Sequence, residues 1–257
     1  MKNLKTLERH AKIVTALRQH GSLSVAELSA LAGVSEETVR RDAKMLEDGG
    51  SVLKLHGSLA LPHNMGETNY ERRMREFAPE KLAIARAAAQ MVRDGDSLII
   101  DTGTTTTFFA RELRQRRNLT IITNSTEIAR TLADVAGSKV LLAGGEMHGD
   151  SGGTYGPSAV EFISKFRVKH AFLSITALDV EAGPMNNSLE EAEFAAMAVS
   201  CATHRVIIAD SSKFGSTSFA RACRWSDVEV IVTEKSPSPD FFTKLREGGT
   251  RLVIAQA

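Results

Sequence analysis

Apolar residues recur with two different periods along this chain. Between Gly21 and Asp48, Val25, Leu28 and Ala32 fall on one face of a helix. Val39, Ala43 and Leu46 repeat that spacing on a second, so the pattern predicts two short helices sharing a small core. Between them, Ala32-Gly33-Val34-Ser35 supplies a glycine for a left-handed backbone, an apolar plug and a serine to cap the next helix. This is the pattern of a helix-turn-helix. Leu4, Leu7, Ala11, Val14 and Leu17 form an apolar stripe on a preceding helix, a third wall for the same core. Past Gly49-Gly50, the stretch from Ser51 to Leu61 reads as a β-hairpin with its turn near Gly57, which completes a winged helix.

From Pro62 to Ala78 the chain turns polar and irregular, and Pro79 then opens a helix that runs to Val92 and stops at Asp94-Gly95. Short apolar runs follow at Ser97 to Ile100, Leu119 to Thr123, Lys139 to Ala143, Ala171 to Ile175, Arg205 to Ala209, Val228 to Val232 and Leu252 to Ala255. Helix-like stretches separate several of them: Thr107 to Arg116, Thr126 to Ala136, Leu189 to Ala202 and Asp240 to Glu247. The expectation is an α/β domain with a mostly parallel sheet. The chain therefore divides into a winged helix-turn-helix at 1–61, a linker at 62–78 and an α/β domain at 79–257.

Composition adds little and excludes more. With 257 residues, 42% of them hydrophobic, the chain suffices for one small domain and one full-sized core. Its net charge is +1, and residues 1–61 hold nine Lys/Arg against seven Asp/Glu, so any DNA affinity must come from where the charges sit. No apolar run reaches the roughly 20 residues of a membrane span, and the first residues lack the apolar core of a secretory signal, so a cytoplasmic protein without a membrane partner is expected. Cys201 and Cys223 lack CxxC spacing and read as reduced thiols. None of the seven histidines has metal-ligand spacing, and no GxxxxGK[ST] or GxGxxG occurs, so neither a metal nor a nucleotide cofactor is expected.

With Val39 as the buried direction of the second helix, steps of about 100° put Glu37, Arg41 and Lys44 opposite the core, with Thr38 and Arg40 beside them. That face suits a DNA major groove. Ser35, Glu36 and Thr38 are placed for base edges, and Arg40, Arg41 and Lys44 for phosphates. On the wing, Lys54 and His56 are placed for the backbone or minor groove, or else they only solvate the hairpin. The competing reading of the helix is a solvated face on which Asp42 pairs with a neighbouring arginine.

In open α/β sheets, ligands bind beyond the carboxyl ends of the strands. Four such loops stand out. Asp101 to Thr107 offers hydroxyls, a glycine and the N–H groups of a helix start, the groups that cradle a phosphate. Thr123 to Thr126 repeats that arrangement, Ala143 to His148 gives backbone room at two glycines, and Ala209 to Gly215 brings the cation Lys213. Each loop alone equally suits helix capping. Together they suit a small phosphorylated polyol.

These residues give the whole chain a resemblance to the DeoR family of bacterial transcription regulators, whose effector domain is related to ribose-phosphate isomerase. It is carried by Arg40-Arg41-Asp42, Gly57, Glu71-Arg72, Lys81 to Ala85, Asp101 to Thr105, Thr123 to Ser125, Gly144-Gly145 and Ala209 to Gly215. The resemblance implies a ribose-phosphate-isomerase-like fold and a repressor of a carbohydrate or polyol operon. It implies release from double-stranded operator DNA by a phosphorylated sugar or sugar alcohol, and a homo-oligomer, dimer or tetramer. It further implies effector contacts at Asp101, Gly103, Thr104, Thr105, Asn124, Ser125, Gly145 and Lys213. Leu173 to Asp179 departs from the family pattern by lacking glycines, so the identity of the effector does not transfer. The alternative is a sugar-phosphate isomerase, whose candidate bases are Asp179, Glu181, Glu190 and Glu191. Because these four also suit helix starts and turns, no enzyme activity is expected.

Overall fold

The structure, a computed structural model, describes residues 6, 9–10, 12–17, 22–48, 52–55, 57–60 and 69–256. Leu4, Leu7, Ala11, Gly49-Gly50, His56 and the first part of the expected linker lie outside the described residues. The chain forms two compact units, residues 1–72 and 73–257.

In the first unit, helix α1 (12–17), strand β1 (Ser22–Ser24), helix α2 (Val25–Ala32) and helix α3 (Glu36–Asp48) precede strands β2 (Leu53–Leu55) and β3 (Ser58–Ala60). The wing is a three-stranded antiparallel sheet of order β1-β3-β2, in which β1 adds a strand to the expected hairpin. Ile13, Leu17, Leu28, Val39, Ala43, Leu46, Val52 and Leu59 fill the core. Val14 and Val25 are half-buried, so Ile13 takes the place expected for Val14. A capping box starts α2: Ser24 Oγ accepts from Glu27 N at 3.2 Å, and Glu27 Oε2 accepts from Ser24 N at 2.7 Å. Gly33, in the left-handed region at φ 66°, ends α2 and turns the chain toward α3.

Asp42 corrects the sequence reading. It belongs to no solvated face, being 1% exposed, and its carboxylate pairs with the Arg9 guanidinium and lies beside His10, from the segment that precedes α2. Burial alone would push Asp42 up, but Arg9 and His10 hold it below the usual carboxylate range.

The expected irregular stretch contains a helix, α4 (Asn69–Arg75). Its apolar pattern is only Tyr70 and Met74, one turn apart and too short to read as a period. A corner at Phe77 joins it to α5 (Ala78–Ala89). Phe77 lies in the left-handed region at φ 54°, ψ 33°, a conformation that costs a bulky residue on the order of 1–3 kcal/mol.

The second unit is a seven-stranded sheet with helices on both faces. Its strands are β4 (Ser97–Ile100), β5 (Thr120–Thr123), β6 (Lys139–Leu142), β9 (Val168–Leu173), β12 (Ala202–Ile208), β14 (Val230–Thr233) and β15 (Arg251–Ile254), in the order β15-β14-β12-β9-β4-β5-β6. Every pair is parallel. The side-chain period of two divides the strands between two cores. Leu98, Ile100, Ile121, Phe172, Val206 and Val230 pack with α5, α6 (Thr104–Leu113) and α7 (Thr126–Leu132). Ile99, Ile122, Ala171, Leu173, Ile207 and Ile231 pack with α8 (Pro157–Ser164), α9 (Leu189–Cys201) and α10 (Pro239–Gly248). Helix α8 and two small sheets, β7 (Glu146–His148) with β8 (Gly153–Tyr155) and β10 (Ala177–Asp179) with β11 (Gly183–Asn186) and β13 (Ala220–Arg221), go beyond the sequence reading. Cys201 and Cys223 are buried free thiols. No helix among the described residues is long and apolar enough to cross a membrane.

Asp42→Ala removes one partner of this pair and leaves the Arg9 guanidinium unmatched. We expect a loss of roughly 2 kcal/mol of local stability, below the 3–5 kcal/mol of fully buried pairs because Arg9 is partly exposed. Faster hydrogen exchange of the α2 and α3 amides measures it, and unchanged exchange contradicts it.

Candidate effector site and DNA-reading surface

Because all seven strands are parallel, their carboxyl ends share one edge. From β4 the chain winds outward through β5 and β6, then returns to β9 on the other side of β4 and continues through β12 and β14. The winding reverses between β4 and β9, where a crevice for ligands is expected.

Asp101, the first residue after β4, links the two strands at that point. Its N–H donates to Phe172 O at 3.3 Å, and its carboxylate accepts from Ser174 N at 2.9 and 3.0 Å. Complete burial pushes the carboxyl up to about 7, against the lowering effect of the Ser174 and Thr106 hydrogen bonds, and Glu191 adds to the rise. Gly103 follows at φ −173°, ordinary extended backbone. The reason for glycine there is steric, since a Cβ would stand 1.9 Å from Ser174 Oγ. Thr104 and Thr105 then begin α6 with N–H groups that have no helical carbonyl behind them. Thr106 Oγ1 donates to the carbonyls of Asp101 and Gly103, both at 3.0 Å, and fixes the loop.

Asn124, after β5, is wholly buried. Its Nδ2 donates to Thr154 O at 3.1 Å, while its Oδ1 has no hydrogen-bond partner among the described residues. Ser125 Oγ accepts from Ile128 N and caps α7. Gly145, after β6, has φ 144°, and a Cβ there would stand 2.2 Å from Tyr155 O, so glycine lets β8 approach. Lys213 follows β12, the second strand from β4 and so about 10 Å from it at the usual strand spacing. It is half-buried on a single 3-10 turn that Asp210 caps through Ser212 N at 3.1 Å.

Tyr155 escapes sequence reasoning, and Ser174, Glu191 and Lys81 enter it only in other connections. Ser174 lies in the segment that departs from the family pattern. Burial pushes the Tyr155 hydroxyl up, with Glu191 and Asp101 adding to it. This electrostatic coupling brings Glu191, at the start of α9, into the field of the crevice. Lys81 of α5 is 3% exposed and feels the charges of Asp210 and Lys213. A buried lysine in a helical apolar run was the available signal. Among the described residues no group of His, Cys, Asp and Glu is assembled to hold a metal ion.

On the first unit, Ser35 Oγ accepts from Thr38 N at 3.4 Å and lies 3.0 Å from Thr38 Oγ1. Glu36 pairs with Arg40 at 2.7 Å, so these two neutralise each other. Glu37, Arg41 and Lys44 are exposed, and Arg41 and Lys44 have no ion-pair partner among the described residues. Met45, 56% exposed, lies next to Arg41 around α3 and adds an apolar element that the charge reading missed. Lys54 is exposed on β2, opposite Leu59 of β3.

A helix-turn-helix with a cationic outer face and a separate α/β unit with a polar, partly cationic edge together define a transcription regulator with a sensor domain. Residues 9–65 match the DeoR-like helix-turn-helix domain, and residues 76–235 match the DeoR C terminal sensor domain. The chain belongs to the DeoR family. It is 32% identical to the glycerol-3-phosphate regulon repressor of Escherichia coli (strain K12), covering 91% of this chain and 93% of that one. Identity to the glycerol-3-phosphate regulon repressor of Haemophilus influenzae is also 32%, covering 98% of both. The HTH-type transcriptional repressor GlcR of Bacillus subtilis is 29% identical over 97% of this chain and 96% of its own length. Among solved structures, ribose 5-phosphate isomerase A of Methanocaldococcus jannaschii is similar with a TM-score of 0.38 and 18% identity, covering 54% of this chain and 55% of that one.

A carboxyl raised to about 7 from the unfolded value of 3.8 contributes stability below pH 3.8 and loses it as pH rises to 7. Asp101→Asn removes that dependence. The difference in unfolding free energy between variant and wild type should grow in favour of the variant by about 1.4 kcal/mol per pH unit from pH 4 to 7. Urea denaturation across that range measures it, and a constant difference means that Asp101 is ionised throughout.

Proposed function

We propose that this protein is a sequence-specific repressor of a carbohydrate or polyol operon, released from its operator by a phosphorylated sugar or sugar alcohol bound at the β4/β9 crevice. The observation that carries the reading is the set of groups following the carboxyl ends of the strands: the Asp101 to Thr105 loop, the buried Asn124 carbonyl oxygen without a partner among the described residues, and Lys213. Lys213 and the first amides of α6 suit a phosphate, and Asp101 and Asn124 accept from hydroxyls. The roughly 10 Å from β4 to β12 matches a short phosphorylated chain better than inorganic phosphate alone. Relatives named as repressors of a glycerol-3-phosphate regulon support the metabolite class.

A metabolite dislodges a repressor only by preferring the DNA-incompetent arrangement, and operator DNA weakens the metabolite by the same factor. A hundredfold release requires about 2.7 kcal/mol of difference, within reach of a few charge-assisted phosphate bonds made in one state only. In a homo-oligomer the two recognition helices would be respaced, spoiling the half-site match.

We further propose that the protein is a regulator and not an isomerase. Of the four candidate bases, three already have structural partners. Asp179 Oδ1 accepts from Glu181 N and Ala182 N, Glu181 pairs with Lys244, and Glu191 Oε2 accepts from Asn187 N. Glu190 is exposed in the first turn of α9. Turnover of ribose 5-phosphate or glucose 6-phosphate by the purified protein would reverse this reading.

Two outcomes test it. Arg41→Ala should weaken binding to any duplex and flatten the log–log salt dependence by about 0.9, the share of one phosphate contact. An unchanged slope in fluorescence anisotropy titrations removes Arg41 from the phosphates. Lys213→Ala should abolish release by the metabolite that a thermal-shift screen of sugar phosphates identifies, a stabilisation of about 2.7 kcal/mol at 100 times its dissociation constant. Normal release in that variant removes the lysine from the site.

A further inference from the structure

Lys81 has surroundings that none of the preceding roles uses. Its ammonium donates to the carbonyls of Arg73 and of Glu76, the latter at 2.7 Å, within the second unit. Those carbonyls belong to the end of α4 and to the corner that follows it, where Phe77 lies in the left-handed region and is 47% exposed. On the other side, Asp210 is fully buried, and its Oδ2 has no hydrogen-bond partner among the described residues. Its Oδ1 caps the turn that carries Lys213. The charge of Asp210 attracts Lys81, and that of Lys213 repels it.

We propose that Lys81 latches the strained α4–α5 corner, and that Asp210 couples this latch to anion capture at Lys213. An anion on Lys213 cancels the charge that opposes Lys81 near Asp210. The Lys81 ammonium then turns to Asp210 Oδ2, and the two carbonyls lose their donor. The corner relaxes at Phe77, and α4, which runs across the boundary between the two units, carries the change into the chain that leads to the DNA-reading unit. Lys81 is a positioning residue that touches neither DNA nor effector. Burial lowers its ammonium to about 8. The inference rests on the proposed effector site.

The test uses the full chain, a duplex selected by the wild type from a random pool, and glycerol 3-phosphate, ribose 5-phosphate and glucose 6-phosphate as probes. Operator affinity and thermal shift are measured with and without each probe for wild type, Lys81→Met and Lys81→Arg. Wild-type release should lie in the usual range of about 5- to 150-fold, and fall below about threefold in Lys81→Met, which still gains the wild-type thermal shift. Lys81→Arg, which keeps the donors, should recover most of the release. Full release in Lys81→Met overturns the latch, and so does loss of its thermal shift, which would make the lysine a ligand. If Lys81→Met does not fold, hydrogen exchange of wild-type residues 74–81 decides: faster exchange with the active probe supports the latch, and unchanged exchange overturns it. A wild type that no probe stabilises overturns the effector reading itself.

Discussion

The sensor unit is organised around one carboxylate buried where the winding of the sheet reverses. A crevice between β4 and β9 would otherwise leave backbone donors at the ends of two strands without acceptors, which is costly away from water. Asp101 answers this from one side by accepting the Ser174 N–H with both oxygens while its own N–H donates to Phe172 O. The two halves of the sheet are thereby joined at the edge where the effector site is proposed. At the opposite edge Asp96 does comparable work, accepting from Lys169 Nζ at 2.7 Å and lying 3.2 Å from His170 Nε2. Strands fixed at both ends leave the loops to differ in polarity without moving the scaffold.

The first unit solves an electrostatic problem with few charges. A helix that faces DNA carries Glu36, Glu37 and Asp42 among its residues, and the whole chain has a net charge of only +1. Asp42 is withdrawn into the core against Arg9, and Glu36 is paired with Arg40. Arg41 and Lys44 remain on the outer face with Glu37, two positive charges against one negative. The sign of the surface is thus set by placement, with no excess of basic residues.

The parts of this fold legible in the sequence are those with a strong local cause. The turn at Gly33 demands a left-handed residue, and Ser24 and Ser35 precede runs with helical period. The inner strands of the sheet are apolar because both faces are buried, and the partly exposed edge strands β6 and β15 keep apolar runs, so all seven stand out, whereas β7, β10 and β13 are short, polar or glycine-flanked and do not. Helix α8 was hidden because Pro157 to Ser164 shows only a brief apolar stripe, Ala159 and Ile163, after a glycine-rich stretch. In the candidate site, the loops could be found from their glycines and hydroxyls, since these follow strand runs directly. The link of Ser174, Tyr155 and Glu191 to Asp101 could not, because they come from distant segments, and the reasons that single out Glu191 and the Ser174 segment in the sequence are different ones. Asp42 was misread for the same reason: its partner lies 33 residues earlier.

Gly103 and Ser174 have one more implication. The space that a side chain at position 103 would need is already filled by the hydroxyl at position 174, so the two sites behave as a single volume shared across strands. A side chain at position 103 cannot grow while the serine keeps its side chain, whereas the serine can shrink alone. Trimming it to glycine would remove the two nearest clashes for an alanine opposite, so what position 103 tolerates is set by position 174.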